Sequence, residues 1–394
     1  MPHATRTPSP LRVLMVSDVY FPRINGVSTS IETFRSDLVA AGVEVQLVAP
    51  AYPEPHETPA TWRVASRRVP FDPEDRLMQR RPLARTLGAL ATAGVDLIHI
   101  QTPFAAHYAG LRTARRHGLP VLATYHTHFE EYIGHYLPLL PRPLLKGIAR
   151  RIARQQCNGL DAVVVPSLAM RETLHGYGGT APLYILPTGI PIAHFAAGQR
   201  ARFRARHGIP EHRSVALYVG RVAFEKNIAF LLEAMVHAIQ RRPELLLVIA
   251  GEGPALQGLQ RMAVQLGLGD HVRFVGYLDR GTELPDCYAA ADVFAFASKT
   301  ETQGLVLLEA MAAGLPVYAL ARMGTRDIVQ PLRGAVSAPD APVDFGHGLA
   351  ELAGDRARLK ALAAAGRGFA AEWSSPERAQ QLANLYRSLV RPAP

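Results

Sequence analysis

Residues 291–317 constrain the fold more tightly than any other stretch. Ala291-Asp-Val-Phe-Ala-Phe-Ala297 is an apolar, β-favouring run, the pattern of a strand buried in a parallel sheet. A polar loop follows, and Gly304 opens a helical run to Ala313 that Gly314 closes and Pro316 keeps from continuing. Strand, tight polar loop and helix N-terminus, in that order, mark the edge at which an open α/β sheet holds its ligand. Glu301 lies in the loop, where it can face a ligand. Glu309 lies in the helix among Leu308, Ala310 and Met311, where a charge needs a partner. A sugar nucleotide would supply hydroxyls to both, and the N–H groups around Gly304 and Leu305 would suit its phosphates. Taken alone, the pair reads equally well as a solvated loop acid and an exposed helix acid.

The same unit recurs along the chain. The run from Leu11 to Ser17 is a first strand, its loop carries Asn25-Gly26, and Ser28 or Thr29 is expected to cap a helix to about Ala41. No G-x-G-x-x-G is present, so the dinucleotide fingerprint is missing. Gly26 is either a plain turn glycine or a place where a phosphate or sugar comes close. Residues 51–75 are expected to form a loop with an edge strand. Strands at 96–101 and 120–125 follow, the second delivering His126-Thr-His-Phe-Glu-Glu-Tyr132 at its carboxyl end. His126 and His128 stand two apart with no cysteine nearby, a poor zinc pattern, and a polar rim for a sugar and an acceptor fits better. Strands at 161–166 and 183–186 complete the first sheet. A turn-rich linker at 187–191 and a charged run at 199–212 lead to a second series. Its first strand, 215–219, ends at Arg221 and Lys226, a fixed guanidinium fork and a flexible ammonium suited to a diphosphate or, alternatively, to surface pairs with glutamate. Strand 245–250 ends in Gly251-Glu-Gly-Pro254, residues 324–328 suggest an extra turn, and the last helix spans 376–390. No repeat of 20–50 residues is visible. The expected architecture is α/β, two Rossmann-like doubly wound domains facing each other across a cleft.

The chain has 394 residues, 48% of them apolar and 19% charged, which suits two well-packed domains. Its two cysteines, Cys157 and Cys287, suggest neither a disulfide framework nor a zinc site. The polar, Pro-rich start has no apolar core of a signal peptide, and no run approaches the roughly 20 apolar residues of a membrane span. Any membrane contact is therefore expected to be peripheral. The formal charge of +10 calls for an anionic partner. Nucleic acid is disfavoured, because neither a reading helix nor aromatic-basic stacking patches are found. Two arginine-rich amphipathic stretches, 76–87 and 142–154, stand in the first half. In the second, Leu145, Ile148 and Ile152 recur at helical spacing beside Arg142, Lys146, Arg150, Arg151 and Arg154. Each could be a core-packed helix with a solvated basic face, and two together favour an anionic membrane surface.

Arg221 with Lys226, Glu301 with Glu309 in the E-x7-E spacing, the Asn25-Gly26 loop and His126 together resemble the retaining glycosyltransferases of family 4, across residues 12–390. That resemblance implies the GT-B fold, with an acceptor-binding domain of residues 1–190 joined by the helix 376–390, and a nucleotide-sugar domain of residues 191–375. It implies that Arg221 and Lys226 bind the diphosphate, Glu309 the ribose, and Glu301 the donor sugar, with Gln303, Gly304 and Leu305 assisting through backbone groups. His126 would contact the sugar, Gly26 would let its loop approach the phosphates, and the last helix would pack on the first domain. No D-x-D clamp is positioned for a divalent metal, so no obligatory metal or tightly bound cofactor is expected. Within the family, residues 125–132 and 300–304 look most like bacterial enzymes that transfer α-glucose from UDP-glucose to diacylglycerol. Gln303 stands where many relatives carry an aromatic, which favours that glycolipid branch. The implied place is cytoplasmic, peripheral on the inner face of the cell membrane, with His128 and the basic helix toward the lipid acceptor. The alternatives are a GDP-mannose-dependent α-mannosyltransferase acting on a lipid or polyprenol, and a GT-B sugar-nucleotide epimerase.

Overall fold

A computed structural model describes residues 10–53, 58–69, 72–126 and 142–390. The chain divides into two compact units, Met1–Gly189 with Ser375–Pro394, and Ile190–Ser374. The last helix, Ser375–Val390, thus belongs to the unit built from the beginning of the chain.

The first unit holds strands β1 (Leu11–Val16), β2 (Val43–Pro50), β3 (Thr61–Val64), β4 (Ser66–Val69), β5 (Asp72–Met78), β6 (Leu97–Ile100), β7 (Val121–Thr124), β8 (Ala162–Val165) and β9 (Leu183–Ile185). Seven of them form a parallel sheet in the order β3-β2-β1-β6-β7-β8-β9, while β4 and β5 pair antiparallel on their own. β6 and β8 are buried at every position, as expected of strands covered on both faces. Residues 51–75 thus supply more than a loop with one edge strand. The basic stretch 76–87 is also divided, its first residues ending β5 and its remainder lying in the helix Arg80–Thr92. Pro82 explains the break, since proline is tolerated in a first helical turn and not further in.

The second unit holds β10 (Ser214–Val219), β11 (Leu245–Ala250), β12 (Val272–Gly276), β13 (Val293–Phe296), β14 (Val317–Ala319) and β15 (Ala335–Ser337). They form a six-stranded parallel sheet in the order β12-β11-β10-β13-β14-β15. The charged run before β10 is not simply a solvated leader. Its Arg204, in the helix Arg200–Arg206, is fully buried and donates to the carbonyls of Pro210, Arg213 and Ala290 and to Asp292. A guanidinium carries five donors, so it can serve several buried acceptors at once, and that is why it can sit where a lysine could not.

Buried titratable groups give the first unit a pH-dependent stability. His99 on β6 lies 2.7 Å from the Tyr386 hydroxyl of the last helix and 2.7 Å from the Thr124 hydroxyl. Burial holds His99 down at about 3, and His107 and His126 at about 4. Asp18 is raised by burial to about 6, although it accepts hydrogen bonds from Thr102 and from the Ala106 N–H. On unfolding near pH 5 the three histidines take up protons and Asp18 releases one, a net uptake of about two. These groups therefore cost stability as pH falls below 6.5, at roughly 2–3 kcal/mol per pH unit around pH 5. Asp18 acts in the opposite sense between about 6 and its unfolded value near 4. Urea unfolding at pH 6.5 and 5.5 should show this loss for wild type and a smaller one for His99→Gln. Equal losses in the two proteins would remove His99 from the account.

Candidate active site

In an open parallel sheet the ligand sits where strand order reverses, beyond the carboxyl ends of the strands. In the second unit that point lies between β10 and β13, which pair directly while their following strands run outward to opposite edges. The β10 loop carries Arg221, half-buried, and then the short turn Phe224–Lys226. Asn227, left-handed at φ 56, donates its side-chain amide to Ala297 O at 3.1 Å and so ties this loop to the end of β13. The β13 loop carries Glu301. Lys226 and Glu301, 75 residues apart, meet there with Nζ to Oε1 at 2.6 Å, each side chain 17% exposed. The structure thus gives Glu301 a neutralising partner, and the ammonium brings a fixed positive charge to the switch point.

The helix Leu305–Ala312 begins at this loop, with Gly304 as its left-handed cap at φ 91. Helical N–H groups at its start have no intrahelical acceptor, and they suit a phosphate or sugar oxygen. Gln303 is buried. The loop is held from below by Gly324, whose N–H donates to Glu301 O at 2.8 Å. A Cβ at Gly324 would lie 2.1 Å from Thr302 O, so only glycine lets the two backbones meet. The extra turn expected at 324–328 exists, as Met323–Thr325 and Arg326–Val329, and it serves as this support.

Glu309 is 2% exposed, and its charge has partners that sequence reasoning missed. Arg280 Nη2 donates to Oε1 at 2.6 Å, and the Tyr288 hydroxyl donates to Oε2 at 2.8 Å. The signal available in the sequence was the demand itself: a helix acid flanked by apolar residues requires donors. Nothing local named Arg280 or Tyr288.

In the first unit the strand order reverses between β1 and β6. The loop after β1 ends at Asn25, whose Oδ1 accepts from Ser28 N at 2.9 Å, and the helix Gly26–Leu38 starts directly behind it. This corrects the expected cap at Ser28 or Thr29. The Ser28 hydroxyl instead donates to Arg23 O at 2.7 Å, and Asn25, extended in backbone and placed just before the first helical turn, takes the cap. Gly26 needs no left-handed backbone, and a Cβ there would meet nothing within 4 Å. The protein itself therefore gives no steric reason for glycine at this position. His126, at the end of β7, bonds through Nε2 to Gln101 Oε1 at 2.9 Å, so its Nε2 carries a proton and burial keeps the ring neutral.

The basic helix Arg142–Cys157 buries Leu145, Ala149 and Ala153, so its inner stripe is largely small residues. Ile148, expected on that stripe, is instead 38% exposed, and Arg150, Arg151 and Arg154 are exposed on the same helix. Lys146 is half-buried, and the Arg150 guanidinium lies over the Tyr177 ring at 5.7 Å. His128 and the Arg142 side chain lie outside the described residues. Among the described residues no group of three or more His, Cys, Asp or Glu is placed to hold a metal ion, and no helix is long and apolar enough to cross a membrane.

Two doubly wound α/β units, each built on a parallel sheet, define a Rossmann-like two-domain architecture. Residues 24–194 match the family model "Glycosyltransferase Family 4", and residues 199–369 match "Glycosyl transferases group 1". The alpha-monoglucosyldiacylglycerol synthase of Streptococcus pneumoniae is 32% identical over 320 residues, covering 78% of this chain and 71% of that protein. The GDP-mannose-dependent alpha-(1-6)-phosphatidylinositol monomannoside mannosyltransferase of Mycobacterium tuberculosis is 31% identical over 391 residues, covering 95% of this chain and 98% of that protein. Among solved structures, sucrose-phosphate synthase from Thermosynechococcus elongatus superposes with a TM-score of 0.78 at 23% identity, over 96% of this chain and 99% of that one. Anabaena HepE, solved with UDP and glucose, gives 0.77 at 17% identity over 96% of this chain and 100% of that one. This chain belongs to the family 4 glycosyltransferases and has the GT-B fold, two Rossmann-like α/β domains. It is a glycosyltransferase of the hexosyl-transferring type.

Proposed function

We propose that this enzyme transfers glucose from UDP-glucose, with retention as an α-glycoside, to a membrane lipid acceptor such as 1,2-diacylglycerol. The observation that carries the reading is the Lys226–Glu301 pair at 2.6 Å beside the opening of the helix Leu305–Ala312. Negative charge grows on the leaving diphosphate, and a fixed cation there stabilises the transition state more than the ground state. Lys226 and Arg221 take that role. Glu301 binds hydroxyls of the donor sugar, with backbone groups of Gln303, Gly304 and Leu305 beside it, and Glu309 binds the ribose. His126, kept neutral by burial and oriented by its bond to Gln101, is assigned contact with a sugar hydroxyl. The open space at Gly26 suits the approach of the donor's phosphates. Residues 191–375 then form the donor domain, and residues 1–190 with the helix 376–390 the acceptor domain, with a hinge at 187–200.

UDP-glucose and diacylglycerol are favoured by the likeness to the two alpha-monoglucosyldiacylglycerol synthases, and by Gln303 in place of an aromatic. The exposed Ile148 among the exposed Arg150, Arg151 and Arg154 supports an anionic membrane surface as the meeting place with the acceptor, a role that the sequence pattern alone extends to His128, Arg142 and Lys146. A basic face of this kind supports a peripheral position at the inner face of the cell membrane. A GDP-mannose-dependent transfer to a lipid is the second reading, favoured by the mannosyltransferases that match 95% of this chain.

Radiolabelled UDP-glucose, UDP-galactose and GDP-mannose, offered separately with diacylglycerol in anionic liposomes, separate these readings. Glucose incorporated into lipid by wild type and lost with Glu301→Ala supports the first. Mannose incorporation replaces it with the second, and labelled nucleotide sugar converted without any acceptor dependence would point to an epimerase.

A further inference from the structure

Glu309 cannot accept a ligand as it stands. It is 2% exposed, and each of its oxygens already receives a hydrogen bond, from Arg280 at 2.6 Å and from Tyr288 at 2.8 Å. The two donors differ in kind. Tyr288 is fully buried, its ring edge-on to Phe195 at 5.7 Å, so its hydroxyl cannot withdraw without opening the core. Arg280 is 32% exposed and lies with its guanidinium 5.8 Å from the Phe195 ring centroid. Each oxygen keeps a second lone pair, but a carboxylate this buried is reached by a new partner only where a covering group moves aside, and of its two donors only Arg280 reaches water.

We propose that Arg280 is a displaceable gate over Glu309, that Tyr288 holds the carboxylate in place, and that the hydroxyls of the donor's ribose replace Arg280 on binding. The inference rests on the ribose-binding role given to Glu309 above. A vicinal diol donates two hydrogen bonds, so it restores the hydrogen bonding that the guanidinium withdraws, while the loss of the ion pair is a cost that the rest of the nucleotide's binding must offset. A deoxyribose offers one hydroxyl fewer and displaces the arginine poorly, so Glu309 discriminates between the two sugars while the gate, which only the ribonucleotide must displace, opposes that discrimination. The released guanidinium gives up its ion pair with Glu309 and is left partly in solvent near a polyanionic ligand. Burial, and the charge of Glu309 beside it, keep the Tyr288 hydroxyl protonated and able to donate. Tyr288 is therefore a positioning residue, and Arg280 tempers the discrimination that Glu309 makes.

Calorimetric titration with UDP and with 2′-deoxy-UDP tests the exchange. The ratio of the two affinities cancels attraction to the phosphates and any general loosening of the fold. Wild type should prefer UDP by about tenfold or more, the worth of a hydrogen bond to a charged group. Arg280→Met should raise that preference several-fold, since the diol no longer competes with a cation. Tyr288→Phe should bring it to within about twofold of unity, with the carboxylate free to turn away. A preference that falls or stays unchanged in Arg280→Met overturns the gate, and this variant decides the question alone if Tyr288→Phe does not fold. A wild type that binds both nucleotides equally also overturns it and leaves the transferase standing, because lipid glucosylation is measured separately. Binding of no nucleotide at all would overturn both.

Discussion

Lys226→Met should lower kcat for glycosyl transfer by about two to three orders of magnitude, the loss found when one preorganised donor to a developing negative charge is removed. The reason lies in where the ammonium is held. Its Nζ is fixed against Glu301 at 2.6 Å in a site where both side chains are only 17% exposed, so the charge is neither free to wander nor heavily screened. Removing it also leaves Glu301 as an uncompensated carboxylate next to a polyanionic donor, which adds to the loss. Glu301→Gln should cost less than Lys226→Met, since a neutral amide keeps hydrogen bonds to sugar hydroxyls and no longer repels phosphate. In the double variant the two losses should not add, because the residues touch. The check is kcat and KM for all four proteins with unfolding curves alongside. Lys226→Met with transfer within a few-fold of wild type would remove the ammonium from the chemistry.

Gly324→Ala should lower activity by about a hundredfold although Gly324 itself is assigned no contact with the ligand. A Cβ there would lie 2.1 Å from Thr302 O and 2.6 Å from Gln303 N, both backbone atoms, so the loop must move. That loop carries Glu301, and a displacement on the order of 1 Å in a positioning group costs about two orders of magnitude in rate. Overpacking of this kind also costs about 1–3 kcal/mol of stability. Gly26→Ala makes the matched comparison. Its Cβ meets no protein atom and its backbone is not left-handed, so the fold should keep its stability while the affinity for donor falls. Transfer rates and melting temperatures for the two variants test both statements. Full activity in Gly324→Ala would mean the loop relaxes without moving Glu301.

Much of the architecture was legible in the chain. Runs such as 245–250 and 293–296 are apolar at every position, and only strands covered on both faces tolerate that, so a parallel α/β fold follows from composition and order alone. The residue types at strand ends were legible for a similar reason. Polar and glycine residues directly after a buried strand have no place in a core, and they sit where ligands bind. Local competition was harder to read. Asn25 took the helix cap from Ser28, and Ala149 with Ala153 took the buried stripe from Ile148, because both outcomes depend on the angle at which each element meets its neighbours.

The sequence by itself determined which residues are buried in strands, which break them, and that Glu309 would need a counter-charge. Tertiary structure alone decided who meets whom. Hydrophobic period reports which face turns inward and carries no information about which strand becomes the neighbour. That β13 rather than β12 lies beside β10 is settled by crossover connections and by packing across the whole sheet, and it is this choice that brings Lys226 to Glu301. The covering of Glu309 by Arg280 and Tyr288 has the same origin. A buried charge dictates that donors must come, and only the folded chain selects which ones are within reach.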